Sequence, residues 1–280
     1  MPLKFLYITN NETIAATAEE CGVDFVVVDL EIIGKEERQR HRNTVISYHT
    51  MEDVRRIRRV LTHAKLLVRV NPIHEGSREE IDQAIEAGAD ILMLPYFKTR
   101  EEVKAFLGDV RGRASTCLLW ETVEAVEAME DILSLDGIDM IHIGLNDLHI
   151  GRNMKFMFEL LADGTVEQLC NRFKARGIPY GFGGIARIGQ GDLPAEYIIA
   201  EHYRLGSGMT ILSRSFFNIQ AMDNIAECKD QFKEGIREIR RFEESLAGKD
   251  AAYFEENGCR VQEKVAAILH KIETKTKELS

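Results

Sequence analysis

Eight short apolar runs, each followed by a stretch of different periodicity, restrict what this chain can fold into more than any other feature. The runs are Phe5–Ile8, Phe25–Glu31, Lys65–Val70, Ile91–Leu94, Ala114–Trp120, Met140–Ile143, Tyr180–Ile185 and Met209–Leu212. Phe25–Glu31 is β-branched and nearly uninterrupted, as a strand buried on both faces must be, whereas Tyr180–Ile185 is glycine-rich. Between them lie Thr13–Cys21, Met51–Leu61, Ser77–Ala87, Thr99–Val110, Glu124–Leu135, Phe156–Arg176 and Pro194–Tyr203, with apolar residues at helical spacing. Such alternation implies a parallel sheet covered by helices. No GxGxxG follows the first strand, and the alternation repeats eight times, which favours a closed (β/α)8 TIM barrel over an open doubly wound sheet. The chain of 280 residues is then read as a barrel over residues 1–217 and a C-terminal helical extension over 218–280. The extension carries charged amphipathic stretches at Asn224–Leu246 and Val261–Leu279, with breaks expected at Gly248 and Asn257-Gly258. It is either an eighth barrel helix with a solvated continuation or an arm that packs on a second copy.

The net charge of -10 excludes the basic footprint that nucleic acid demands, while leaving room for a local basic pocket. Five scattered cysteines (Cys21, Cys117, Cys170, Cys228, Cys259) form no CxxC pair and no Cys/His cluster, so neither a zinc site nor a disulfide framework is expected. A cytoplasmic setting is expected, because the amino terminus shows no signal-peptide core and the apolar runs are strand-sized.

Barrel enzymes keep their chemistry at the carboxyl ends of the strands. The unit Thr116–Gly151 delivers a carboxylate at the end of each of two strands, Glu121 and Asp147. Parallel neighbours lie roughly 4.8 Å apart, so the two acids are expected to face one another across the mouth. Two hard oxygen ligands with room for water suit Mg²⁺ or Mn²⁺ better than zinc; capping of the following helices is the plainer role. Asn146 adds a neutral ligand or a hydrogen-bond partner. Arg69 ends an otherwise apolar strand, where a charge is costly unless paired or exposed at the mouth. Its planar fork fits a carboxylate or an enolate oxygen, or a salt bridge to Glu121 or Asp29. Asp29 and Glu31 point the same way by period two, as site acids or as loop braces.

The segment Ile32–Thr50 is long for such a connection. It carries Lys35, Arg38, Arg40, His41, Arg42 and His49, either a cationic flap that draws in an anion or a solvated loop. His41 and His49 are the histidines in reach to act as a base near neutral pH. Gly181–Arg187 is read as an anion-binding turn or as close packing, His149 as a mouth residue, His142 as core, and the arginines of Val54–Val60 as a solvated helix face.

Five motifs in order, Val28-Asp29-Leu30-Glu31, Val68-Arg69-Val70-Asn71, Gly88–Pro95, Leu119-Trp120-Glu121-Thr122 and Ile143–Leu148, resemble the HpcH/HpaI aldolase and citrate lyase β-subunit family over Phe5–Phe217. The resemblance implies an oligomeric barrel of the phosphoenolpyruvate/pyruvate superfamily. It implies a divalent cation on Glu121 and Asp147, and Arg69 on the carbonyl or enolate of a 2-oxo acid. The expected activity is a metal-dependent carbon–carbon lyase on a small 2-oxo or hydroxy acid. Substrate-binding residues are then Arg69, Asp29, Asn146 and Gly144; Arg69, Glu31 and His49 are the catalytic candidates. The histidine that serves as base in the aldolase branch is replaced by Ile32, and the glutamine before the metal glutamate by Leu119. The alternatives are an acyl-coenzyme A lyase and a barrel that binds a metabolite without turning it over.

Overall fold

The structure, a computed structural model, describes residues 2–35, 48–216 and 225–278. Eight parallel strands follow one another in chain order as a closed barrel. They are β1 (Lys4–Ile8), β2 (Phe25–Asp29), β3 (Lys65–Arg69), β4 (Ile91–Leu94), β5 (Ser115–Trp120), β6 (Met140–Ile143), β7 (Tyr180–Ile185) and β8 (Met209–Leu212). This is the (β/α)8 arrangement expected from the alternation. The chain divides into two compact units: Lys4–His142, and Ile143–Ser280 together with Met1–Leu3.

In the first unit every residue of β2 and β4 is buried, which is why both read as apolar runs up to the buried Asp29 at the end of β2. The helices α1 (Glu12–Glu20), α2 (Met51–Val60), α3 (Ser77–Glu86) and α4 (Arg100–Val110) cover them. Thr50 and Thr99 each open a helix with a capping box, paired with Asp53 and Glu102. A capping box satisfies two otherwise orphaned amides at once. The arginines of α2 do more than face solvent. Arg56 binds Glu12 of α1 at 2.8 Å, and Arg58 binds Asp90 ahead of β4 at 2.7 Å. The expected helix Glu124–Leu135 is two short ones, α5 (Val123–Glu127) and α6 (Met129–Leu133), because Ala128 leaves helical geometry (φ -87°, ψ 14°).

The second unit holds α7 (Leu145–Gly151), α8 (Glu159–Ala162), α9 (Thr165–Ala175), α10 (Ala195–Leu205), α11 (Ile225–Leu246) and α12 (Ala251–Glu278). The stretch Phe156–Arg176 is not one helix. Gly164 takes φ +82° between α8 and α9, a conformation that glycine adopts at little cost. In β7, a Cβ on Gly181 would fall on the Met209 carbonyl oxygen of β8, so this glycine serves close strand packing. Asn257-Gly258 does not break the tail: α12 runs through it. Asn257 Nδ2 donates to the Tyr197 carbonyl at 3.1 Å and to Glu201 Oε1 at 2.8 Å. That tertiary anchoring overrides a weak local propensity. Among the described residues, no helix is long and apolar enough to cross a membrane.

Candidate active site

The register of β2 on β3 places Asp29 directly beside Arg69, at the carboxyl ends of both strands. Arg69 Nε donates to Asp29 Oδ1 and Nη2 to Oδ2, each at 2.7 Å. This bidentate fork is the strongest geometry available to the pair. Of the partners that the sequence allowed for Arg69, Asp29 is the one in hydrogen-bond contact. Glu121 acts at longer range, as one of the charges that stabilise the guanidinium. Two residues on, Glu31 Oε2 lies 3.4 Å from Arg69 Nη1. Asp29 and Glu31 are each 1% exposed, so both carboxylates must be paired.

A second cation completes the pairing. Lys35 Nζ donates to Asp29 Oδ2 at 2.6 Å and lies 3.5 Å from Glu31 Oε2. Arg69, Asp29, Lys35 and Glu31 therefore form a closed ring of two positive and two negative groups. Burial pushes the Asp29 carboxyl up, but Arg69 and Lys35 outweigh it and hold it well below the usual carboxylate range.

Asn71 secures the chain leaving β2. Its Oδ1 accepts the amides of Ile32 and Ile33 at 2.9 and 3.0 Å, and its Nδ2 donates to Glu80 Oε1 of α3 at 2.8 Å. Burial raises the Glu80 carboxyl. This bracket braces the loop that carries Glu31 and Lys35.

His49 reaches the same ring. The Asp29 backbone N–H donates to His49 Nδ1 at 3.0 Å. The neutral ring therefore carries its proton on Nε2. Burial lowers its pKa against the opposing pull of Asp29 and Asp53. His41, Arg38, Arg40 and Arg42 lie outside the described residues.

Glu121 follows β5 and is 4% exposed. Its Oε1 accepts the Tyr96 N–H at 3.1 Å. Tyr96 holds φ +49°, a left-handed conformation that costs a non-glycine residue about 1 kcal/mol. Thr122 donates its hydroxyl to the Phe97 carbonyl at 2.6 Å and caps α5 through the Ala125 amide. Capping thus falls to Thr122, and Glu121 is held by a backbone amide across from β4.

In the second unit, β6 ends at Ile143 and Gly144 precedes α7. Asp147 therefore stands in the first turn of a short helix and not on a strand end. It is half-buried, with Asn146 Nδ2 at 3.5 Å from its Oδ1. His149, expected at a mouth, is buried with Nδ1 3.2 Å from the Leu145 carbonyl. Among the described residues, no three His, Cys, Asp or Glu side chains gather into a cation cage.

The structure thus brings together Asp29, Glu31, Arg69 and His49 from the sequence-derived set, and Gly144, Asn146 and Asp147 lie together around the start of α7. It adds Asn71 and the Tyr96 amide, and it makes Lys35, expected only as one of a basic segment, a partner of Asp29 and Glu31. Lys35 carried one legible signal, its place four residues after Glu31, but in sequence it merges with the basic segment that follows.

The sequence profile described as HpcH/HpaI aldolase/citrate lyase matches residues 5–156, a little over half of the chain. Solved structures share the fold. An HpcH/HpaI aldolase from Desulfitobacterium hafniense DCB-2 is 16% identical, covers 81% of this chain and 90% of its own, and has a TM-score of 0.58. The citrate synthase SbnG is 18% identical over 82% and 94%, with a TM-score of 0.59. An HpcH/HpaI aldolase/citrate lyase family protein from Burkholderia cenocepacia J2315 is 16% identical over 84% and 95%, at 0.57. At these identities the likeness speaks to the fold alone. Comparison with curated protein sequences gave no match.

Proposed function

The chain belongs to the HpcH/HpaI aldolase/citrate lyase family, a family of carbon–carbon lyases, and from that premise we propose that it is a divalent-metal-dependent aldolase. Its substrate in this reading is a small 2-oxo or hydroxy acid cleaved through a pyruvate-like enolate. The observation that carries the reading is the Arg69 guanidinium, presented at the end of β3 among Asp29 and Glu31 and within the field of Glu121. A cation there opposes the negative charge that grows on a 2-oxo oxygen as the neighbouring bond breaks.

We assign the cation, Mg²⁺ or Mn²⁺, to Glu121 and Asp147, a pairing that rests on the two motifs and the family. The donor set is oxygen only, which suits a hard ion. When bound, the ion would polarise the substrate carbonyl. In this reading Arg69, Asn146 and Gly144 bind and orient the acid, and Asp29 acts through the Arg69 guanidinium that it holds. Cleavage of a 4-hydroxy-2-oxo acid needs a base to take the hydroxyl proton while the carbon–carbon bond electrons pass to the 2-oxo oxygen. Glu31 is our choice for that base. His49 keeps its proton on Nε2 as long as Nδ1 accepts the Asp29 amide, so in this arrangement it donates. The family resemblance also supports a homo-oligomer, tested by comparing the solution mass of the full chain with that of a chain lacking residues 251–280.

The test is pyruvate release from a panel of 4-hydroxy-2-oxo acids with Mg²⁺ or Mn²⁺, followed through a lactate dehydrogenase couple. Turnover should vanish in Arg69→Ala. Mn²⁺ binding, read by electron paramagnetic resonance, should be lost in Glu121→Ala and in Asp147→Ala. Unchanged Mn²⁺ affinity in both variants would remove the cation assignment, and no turnover on any acid would remove the aldolase.

A further inference from the structure

Lys35 has no part in the chemistry described above, yet it is 7% exposed and its ammonium sits against the acid that holds Arg69. A substrate carboxylate or enolate can reach Arg69 only if Asp29 gives up part of its bidentate grip. Asp29 is 1% exposed, so releasing it without another cation would strand a buried charge, a loss of several kcal/mol. Lys35 Nζ already lies 2.6 Å from Asp29 Oδ2, the oxygen that also accepts Arg69 Nη2. Its second neighbour, Glu31, bridges back to Arg69 Nη1 at 3.4 Å. Without Lys35, Asp29 would lose the cation it shares with Arg69, and its charge would bind the guanidinium more tightly against an incoming anion.

We propose that Lys35 is a positioning residue, the counter-cation that keeps Asp29 and Glu31 paired while Arg69 turns to an anionic 2-oxo acid. This inference rests on the reading of Arg69 as the substrate's cation. Lys35 makes no bond to substrate; it sets how readily Arg69 is released, so it governs binding before it governs the chemical step.

The experiment measures oxalate binding by calorimetry in the Mg²⁺-loaded full-length protein, beside kcat and KM for whichever hydroxy-oxo acid is turned over. Lys35→Met should weaken oxalate at least tenfold and raise KM more than it lowers kcat. Lys35→Arg, which keeps the charge, should recover to within about threefold of wild type. Adding Asp29→Asn to Lys35→Met removes the competing carboxylate and should restore part of the lost affinity, which a merely disorganised site would not do. Oxalate bound by Lys35→Met as tightly as by wild type would overturn the proposal, as would a double variant no better than Lys35→Met. Arg69→Ala separates the two ideas: undiminished oxalate binding there would sink the underlying reading, whatever Lys35 does.

Discussion

The charges at the ends of β2 and β3 and those between α10 and α12 each centre on a buried carboxylate held by an arginine, and are satisfied in different ways. At the strand ends, Asp29 and Glu31 both pair with the cations Arg69 and Lys35, and the Glu31 amide donates to Asp29 Oδ1 at 3.2 Å. Between the helices, Glu201 is also 1% exposed. Its Oε2 takes Arg204 Nε and Nη2 at 2.9 and 2.8 Å, and its Oε1 takes the neutral Asn257 amide. Arg204 is shared further with Glu167 of α9 at 3.0 Å. The first network can exchange one ionic partner for another without stranding a charge. The second ties three helices, α9 to α10 through the Arg204–Glu167 ion pair and α12 to α10 through a neutral amide that has no charged role to give up. Buried ion pairs are weak evidence for stability in general, so the composition of each network tells more about its task than its depth does.

Breaking the first network should have the larger effect. Arg69→Ala should lower kcat/KM by about 10³-fold and cost about 3–5 kcal/mol of stability, because the buried Asp29 loses its bidentate partner. The pH dependence has a definite sign. The folded protein holds the Asp29 carboxyl below its ordinary value. Its contribution is therefore whole above the unfolded carboxylate range near pH 4 and is lost as pH falls through the lower folded value. The stability gap between wild type and Arg69→Ala should be widest at neutral pH and narrow towards pH 3, as followed by denaturant midpoints. A constant gap would mean that Asp29 is not the group stabilised by Arg69.

Glu201→Ala should cost about 3 kcal/mol, since Arg204 loses its buried partner. Turnover per folded molecule should be unchanged. A rise in KM there would erase the distinction between the two networks.

The smallest effect sharpens the comparison from the opposite side. Gly258 lies inside α12, and a Cβ on it would meet Arg204 Nε at 3.7 Å, an ordinary contact. Gly258→Ala should therefore raise stability by about 0.5–1 kcal/mol by reducing the freedom of the unfolded chain. A loss of stability would show that the helix interface cannot take one more methyl group.

Much of this was legible in the chain. Arg69 stood out because a charge inside Leu67-Val68-Arg69-Val70 has no local reason to be there, and Asp29 was among its named partners. The spacing of Asp29 and Glu31 put both on one side, and both meet Arg69. What local pattern could not supply were contacts made by distant chain. The Asn71 amide on Ile32 and Ile33, the Tyr96 N–H on Glu121, and the unbroken course of α12 through Asn257-Gly258 all depend on another element being in place. The short helices α5 and α8 were read as parts of longer ones because apolar periodicity continues through Ala128 and past Gly164, where the backbone turns.

The order and type of the strands followed from sequence alone, because a parallel sheet buried on both faces requires short apolar runs, and these alternate eight times with stretches of helical period. Which ionic partner each charge takes was settled only by the tertiary structure. Strand register sets Asp29 beside Arg69, and the turn after β2 sets Lys35 against both acids. Coulomb attraction selects among partners by distance, and distance across a barrel is fixed by pairing between strands far apart in the chain.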